Sequence, residues 1–382
     1  MEKTKNILIV AGEASGDLHA SELVKAIRDI QPNINFFGLG GKRMQRTKVK
    51  LYYDIVDLAV VGFFEVLKNL KKFKDIFNGL LSWIDTSRPD LAILVDYPGF
   101  NLRLAKELKK RKIPIIYYIS PQVWAWGKHR IKTIKRLVDK MLVIFKFEEE
   151  LYNKYGVPVS FVGHPLLDIV KSRFSSEEFF NIYKLDAKYT TFALLPGSRE
   201  KEVKTLLPLM LETAKYIQEK MPQSQFLILR STSVREEIFN DIIRDYGKLC
   251  LCVISDMTYD GLAVADFALV ASGTATLETA IIGKPLIIMY KVSFLSWLYL
   301  KRVIKIPYIG LVNVVAQKKI VEEFLQYDIK PKIVADYVIN TLMDKNALSK
   351  IKEEFLSVTK NLGERGASQR AAQTIVDFLS KC

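Results

Sequence analysis

Several short stretches of this chain carry residue types that can do chemistry, and each follows an apolar run. Leu94-Val95-Asp96-Tyr97-Pro98-Gly99-Phe100-Asn101 ends such a run on a carboxylate, Asp96. A carboxylate there can take a proton from a hydroxyl, or can simply cap a turn. Leu195-Pro196-Gly197-Ser198-Arg199 sets small residues ahead of an arginine. Gly197 and Ser198 let backbone approach a ligand and Arg199 offers a fork of donors suited to phosphate, though a plain turn with a surface arginine reads the same way. In Ala271-Ser272-Gly273-Thr274-Ala275-Thr276-Leu277-Glu278, residues Ser272, Gly273 and Thr274 form an anion nest with hydroxyls. Glu278, early in the following helix, can reach vicinal hydroxyls of a ribose, or serve as a favourable early-helix acid. Ser120-Pro121-Gln122-Val123-Trp124-Ala125-Trp126 brings two tryptophans together after a proline, as a ligand wall or as core aromatics. Val10 to Ala20, VAGEASGDLHA, has the strand–loop–helix outline of a phosphate-binding turn but fits neither GxGxxG nor GxxxxGK[ST]. What it holds is open from its residues alone.

The elements that must position these loops follow from periodicity. Ile7–Ala11, Leu91–Val95, Ile115–Ile119 and Met141–Phe145 are short apolar runs without clean alternation, the look of parallel strands buried on both faces. The pattern restarts with Thr191–Leu195, Gln225–Leu229, Leu251–Ile254, Phe267–Val270 and Leu286–Met289, separated by helical stretches such as Val203–Glu219 and Ala275–Ile282. The expected fold class is therefore α/β, with two Rossmann-like doubly wound domains. Residues 1–165 form the first and 166–382 the second, joined near Gly163-His164-Pro165 and the polar Lys171–Glu178 segment. The last stretch of chain reads as helical and either caps the second domain or crosses back to the first. In such sheets ligands sit beyond the carboxyl ends of the strands, so the two domains are expected to face each other across a cleft.

A chain of 382 residues, 49% hydrophobic and 26% charged, has an ordinary globular composition with ample core. Its formal net charge of +15 fits nucleic acid, an anionic membrane or phosphorylated ligands, and also a merely solvated basic surface. No signal-peptide pattern follows Lys3 and Lys5, and no apolar run has the ~20 residues of a spanning helix. Cys250, Cys252 and Cys382 are sparse and odd in number, which suits a reducing compartment; the first two read as buried strand residues rather than metal ligands. With only His19, His129 and His164 present, a His-rich metal site is not expected.

Two greasy, basic segments stand apart. In Gly62–Trp83, Phe63, Leu67, Leu70, Phe77 and Leu81 keep helical spacing while Lys68, Lys71, Lys72 and Lys74 interleave, and Val292–Arg302 is apolar with a basic end. Each reads either as a membrane-interface segment or as an amphipathic core helix. On the interface reading, Phe63, Phe64, Leu67, Lys68, Lys71 and Lys72 make the membrane contact.

Taken together the motifs resemble the lipid-A-disaccharide synthase family of inverting glycosyltransferases, which has the two-Rossmann-domain GT-B fold. The matching pieces run in order: AGEASGD at Ala11–Asp17, GFFEVL at Gly62–Leu67, VDYPGFN at Val95–Asn101, SPQVWAW at Ser120–Trp126, GHP at Gly163–Pro165, LPGSR at Leu195–Arg199, ASGTATLE at Ala271–Glu278 and LVNVVA at Leu311–Ala316. They span most of the chain, and the combination is specific where no single piece is. The resemblance implies transfer of 2,3-diacylglucosamine from its UDP donor to the 6-hydroxyl of 2,3-diacylglucosamine 1-phosphate, giving a β(1→6) disaccharide 1-phosphate and UDP in lipid A biosynthesis.

With that match, Asp96 is the expected general base and Glu13 the reserve. Gly197, Ser198, Arg199, Ser272, Gly273, Thr274 and Glu278 are expected to hold the donor UDP, and Asn313 matches a family asparagine near the donor. A proline usual before that asparagine is Val312 here, and Gly99 replaces an acid found in many relatives. The opening loop then turns to the acceptor side: Ser15 and Gly16 donate to a phosphate, Asp17 or Glu13 holds a sugar hydroxyl, and Asn101 and Trp124 complete the reaction centre. No metal or other cofactor is expected. The expected partners are the two acylated sugars and an anionic membrane surface, with room for a homodimer and no nucleic acid. The expected location is the cytoplasmic face of the inner membrane. The rival within the fold is another UDP-sugar enzyme, a 2-epimerase or a lipid-linked GlcNAc transferase; outside enzymes, it is a basic nucleic-acid or membrane-surface module.

Overall fold

A computed structural model describes residues 4–55, 70–124, 130–293, 297 and 307–381. The chain divides into two compact units, Met1–Pro165 with Leu362–Cys382, and Leu166–Asn361.

The first unit is built on a parallel sheet of β1 (Lys5–Ala11), β2 (Ile34–Gly40), β3 (Lys50–Asp54), β4 (Leu91–Val95), β5 (Ile115–Tyr118), β6 (Lys140–Val143) and β7 (Val159–Phe161), in the order β3-β2-β1-β4-β5-β6-β7. Ile7 to Ala11 of β1 and all of β4 are buried, as strands covered by helices on both faces must be. The order reverses between β1 and β4, where Ile7 pairs Leu91 and Ala11 pairs Val95. Chains leaving those two strands turn to opposite faces, so their carboxyl ends open the crevice in which such folds bind ligands.

The second unit repeats the plan with β8 (Thr190–Leu195), β9 (Ser224–Arg230), β10 (Leu251–Ser255), β11 (Phe267–Ala271), β12 (Leu286–Tyr290) and β13 (Glu323–Leu325). Its order is β10-β9-β8-β11-β12-β13, all parallel, so the reversal falls between β8 and β11. The cores are separate clusters, Leu8, Leu94 and Tyr117 belonging to one, Leu194, Phe226 and Leu269 to the other.

The last helix, Ala367–Leu379, belongs to the first unit and packs on the helix Ala14–Ile30. Arg370 clips it there by donating from Nε to the Val162 carbonyl (2.9 Å), and the His164 amide donates to the Leu362 carbonyl (2.8 Å). The polar 171–178 segment is tied into the second unit, where buried Asp260 accepts from the Arg173 amide and guanidinium at 2.5–3.1 Å.

One reading changes, and one left open is narrowed. Cys250 is exposed and precedes β10, and Cys252 within it is half-buried. The reason is that β10 is an edge strand, covered less than the central strands. The described part of Gly62–Trp83 is a helix, Leu70–Ser87, whose Ile76, Leu80 and Ile84 enter the first unit's core while Phe77 packs on Phe100 at 5.4 Å. That stretch is an amphipathic core helix; Lys71 and Lys72 lie on its exposed side, the Lys72 ammonium 5.4 Å from the centre of the Tyr53 ring. Phe63, Phe64, Leu67 and Lys68, and most of Val292–Arg302, lie outside the described residues. Among the described residues no helix is long and apolar enough to cross a membrane.

Candidate active site

In the first unit the strand ends at the reversal carry Glu13 and Asp96. Asp96 and Tyr97 follow β4 directly, and both adopt left-handed backbone, at φ +45° and +46°. For residues with a Cβ this is strained, by roughly 1–3 kcal/mol each. Hydrogen bonds hold the turn: the Asp96 carbonyl accepts from the Tyr117 hydroxyl and from Asn101 Nδ2 (2.8 Å), and the Asp96 amide donates to the Tyr118 carbonyl at 3.1 Å. Asn101 Nδ2 also donates to the Val95 carbonyl (3.1 Å) and its side chain is fully buried. Asn101 therefore builds the turn that presents Asp96.

Gly12 lets the opening loop close on this turn. A Cβ there would sit 2.0 Å from the Tyr97 ring, so any larger residue would push Glu13 and Tyr97 apart. The resulting neighbourhood sets the charge state of Asp96. Burial, with the charge of Glu13 behind it, pushes its carboxyl up to about 7, against some lowering by a hydrogen bond from the Tyr97 backbone. A carboxyl poised there exchanges protons near neutrality, as a general base must.

Of the other acceptor-side candidates, Ser15 is exposed and Gly16 buried at the start of the Ala14–Ile30 helix. Asp17 corrects the sequence reading. Its carboxylate faces away, accepting from the amides of Gly41 (2.8 Å), Arg43 (3.0 Å) and Met44 (3.1 Å), and so caps the short helix Lys42–Arg46. With those amides on it, and 4% exposed, it is no sugar ligand. Trp124 is half-buried and donates from Nε1 to Glu148 Oε1 at 3.1 Å. Trp126 lies outside the described residues.

Glu148 had no signal in the sequence. It sits just past β6 in the helix Lys146–Lys154, 28 residues from Ser120, whose hydroxyl donates to the same Oε1 at 2.7 Å. Only the adjacency of β5 and β6 brings the two together. Burial pushes its carboxyl up to about 7, and the hydrogen bonds from Ser120 and Trp124 pull it partly back.

The second unit's reversal carries an arginine and small residues instead. Arg199 caps the helix Glu200–Lys220, its side chain 58% exposed, with Nη1 donating to Glu202 Oε1 at 3.3 Å. Glu202 Oε2 also accepts from the Ser198 amide at 3.3 Å, an internal anion on donors suited to a phosphate. Gly197 packs against that same carboxylate. Across the reversal, Gly273 caps the helix Thr274–Ile282 at φ +148°, with nothing among the described residues within 4 Å of its Cβ position. Ser272 donates to the Ile309 carbonyl (3.1 Å), and half-buried Thr274 opens the helix. Glu278, one turn on, accepts from the Tyr259 hydroxyl at 3.2 Å, and burial raises its carboxyl above the ordinary range.

Asn313 is the second correction. Fully buried, it donates from Nδ2 to the Val321 carbonyl and Glu323 Oε1 (both 2.9 Å) and accepts from the amides of Ile320 (2.9 Å) and Val321 (3.1 Å). An amide side chain so engaged holds its loop and has nothing left for a ligand. Its partner Glu323 also takes the amides of Ile309 and Gly310, each at 3.0 Å, which fixes the segment under Ser272. Among the described residues no group of three or more His, Cys, Asp or Glu side chains could hold a metal ion.

Comparisons with known proteins bear on family and fold. Residues 7–377 match the family model described as lipid-A-disaccharide synthetase. The lipid-A-disaccharide synthase of Syntrophus aciditrophicus (strain SB) is 45% identical over 378 residues, 99% of each chain. That of Geobacter sulfurreducens is 40% identical over 375 residues, 98% of this chain and 97% of that one. Among solved structures, the Staphylococcus aureus MnaA–UDP co-structure superposes with a TM-score of 0.69 at 11% identity, covering 99% of this chain and 98% of that one. A glycosyltransferase from Rickettsia africae superposes at 0.57 and 12% identity over the whole of both chains. At such identities the likeness speaks to fold alone, and the fold is that of GT-B enzymes.

Proposed function

The chain belongs to the lipid-A-disaccharide synthetase family, and from that premise we propose how its residues divide the reaction. It is a glycosyltransferase that moves 2,3-diacylglucosamine from UDP to the 6-hydroxyl of 2,3-diacylglucosamine 1-phosphate, giving the β(1→6) disaccharide 1-phosphate and UDP. In the proposed mechanism Asp96 accepts the proton of the 6-hydroxyl as that oxygen attacks the anomeric carbon. UDP leaves from the opposite face, which inverts the configuration. Charge grows on the departing diphosphate; Arg199 and the amides and hydroxyls of Ser198, Gly273 and Thr274 stabilise it, the role of preorganised donors at a site of developing charge. Glu278 takes the ribose hydroxyls, and Glu13 keeps Asp96 basic.

The observation that carries this reading is the Asp96 turn. A strained strand-end carboxyl held at about 7 beside a second acid is an arrangement a turn cap does not need. The purified protein, given UDP-2,3-diacylglucosamine and 2,3-diacylglucosamine 1-phosphate in detergent, is expected to release UDP and the disaccharide by mass spectrometry. No product there, or turnover of unacylated UDP-GlcNAc alone, rejects it.

The membrane reading is a proposal of the same standing. With Lys71, Lys72 and Lys74 exposed on one helix and a net charge of +15, the protein is proposed to sit peripherally on the anionic cytoplasmic face of the inner membrane, where its acylated substrates reside. Reversing Lys71 and Lys72 to Glu is expected to weaken binding to anionic but not neutral vesicles.

A further inference from the structure

Acids in the first turn of a helix are common, because the helix dipole favours them, and most lie in solvent. Glu148 differs. Its side chain is turned inward and 1% exposed, while the next residue, Glu149, does an ordinary edge-tying job by accepting from the Phe161 amide at 2.8 Å. Two donors on Glu148 come from the stretch that leaves β5: the Ser120 hydroxyl at 2.7 Å and the Trp124 indole N–H at 3.1 Å meet on one oxygen, Oε1. The other, Oε2, is buried and has no hydrogen-bond partner among the described residues. Acid and stretch therefore depend on each other, since a buried carboxyl without those donors is costly and the 120–124 stretch without the acid loses both bonds. The indole so fixed stands on edge against Phe147, ring centres 5.4 Å apart and planes at 89°, and remains half-buried. β5 pairs with β4, so this loop leaves the sheet beside the strand end that carries Asp96.

We propose that Glu148 is a positioning residue for the acceptor sugar: by holding Ser120 and Trp124 it fixes the indole as a wall beside the Asp96 turn. An indole face and a sugar ring suit each other, one flat and apolar, the other presenting C–H groups, and a rigid wall binds without first having to be ordered. The inference rests on the assignment of Asp96 to the acceptor hydroxyl. It places no part of Glu148 in contact with substrate.

Steady-state kinetics of the full-length protein, with each substrate varied against saturating partner, test it. Glu148→Ala is expected to raise KM for diacylglucosamine 1-phosphate about tenfold or more while KM for UDP-diacylglucosamine stays within about twofold, the pattern of lost acceptor binding. Glu148→Gln keeps a carbonyl oxygen for both donors and is expected to restore most of the loss. Trp124→Phe deletes the indole N–H but keeps an aromatic ring, and is expected to shift the acceptor KM the same way. Combined with Glu148→Ala it adds little, because both changes break one interaction. An unchanged acceptor KM in Glu148→Ala, or an equal rise in both KM values, overturns the proposal. If Glu148→Ala fails to fold by thermal unfolding, the folded Glu148→Gln and Trp124→Phe proteins decide: a normal acceptor KM in Trp124→Phe overturns it. Failure of the underlying reading shows separately, as retained turnover in Asp96→Asn.

Discussion

The two units share a strand order and differ in what stands at its reversal. In the first, β1 and β4 end on Glu13 and Asp96, two acids, one of them in strained backbone with its charge suppressed by burial. In the second, the loops after β8 and β11 carry an exposed arginine and a glycine with no described residue within 4 Å of its Cβ position. Topology makes either place a crevice suited to a ligand; it is silent on which ligand. The side chains decide. A base must be kept from solvent to hold a proton affinity near neutrality, and strain is the cost of aiming it. A grip on a diphosphate gains from staying reachable, since its donors must meet a charged, hydrated group.

Removing the base should therefore have the largest effect. Asp96→Asn keeps the shape of the turn and is expected to lower kcat by at least ~100-fold, the usual scale for a positioned base. In the unaltered protein kcat/KM should rise with pH and level off above about 7, because Asp96 works only when ionised. Stability runs the other way. The folded carboxyl ionises near 7 and the unfolded one near 3.8, so the native state binds more protons between those values and stability falls as pH rises through that window. In Asp96→Asn that part of the slope should disappear from thermal-unfolding curves taken across the window. Normal turnover in this variant would break the comparison at its first unit.

The corresponding break in the second unit is Arg199→Ala. Loss of one donor to developing charge commonly costs ~10²–10³-fold; with the side chain 58% exposed and solvent screening it, about 10–100-fold in kcat/KM for the donor is expected. Inhibition by free UDP should weaken in parallel, and the pH profile should stay where it was. A shifted profile with unchanged UDP inhibition would mean that the arginine serves the proton transfer instead.

Glu13→Gln separates the two acids. If Glu13 acts on Asp96 through its charge, its neutralisation moves the rise in kcat/KM to lower pH, by about one unit, with the plateau rate within a few fold. If Glu13 is the base itself, the plateau collapses as in Asp96→Asn. One pH–rate series distinguishes them.

The sequence marks strand ends better than it marks which way a side chain turns. Central strands such as Leu91–Val95 announce themselves because burial on both faces demands continuous apolar residues. β3, with the sequence KLYYD, and the three-residue β7 and β13 are edge strands under no such demand, and periodicity passes over them; it also passes over the inner, buried β2, INFFGLG, whose apolar run is broken by Asn35 and Gly38. Asp96 is legible because it directly follows a buried strand, and Arg199 because it stands between one and the helix after it. Asp17 and Asn313 lie in equally suggestive motifs, yet helix geometry turns one onto the amides at 41–44 and closes the other on the 320–323 segment, partners that no local pattern names. Glu148 is the converse, a residue without a motif whose importance arises from strand pairing alone.

The smallest test places the same new charge in both units. Thr274→Asp adds an acid at the first position of a helix, where the dipole favours it by about 0.3–1 kcal/mol, so the fold should not suffer. At that spot it opposes a diphosphate, and the donor KM is expected to rise several-fold. Gly99→Asp adds an acid in the first turn of Pro98–Lys110, three residues past Asp96, where no described residue lies within 4 Å of the Cβ position. There it should leave the donor KM alone and move the rise in kcat/KM upward by a few tenths of a pH unit, because another negative charge makes Asp96 harder to ionise. One acid thus reads as weaker nucleotide binding in one unit and as a more basic carboxyl in the other. Equal effects of both changes on donor KM would show that the two reversals do not divide the reaction.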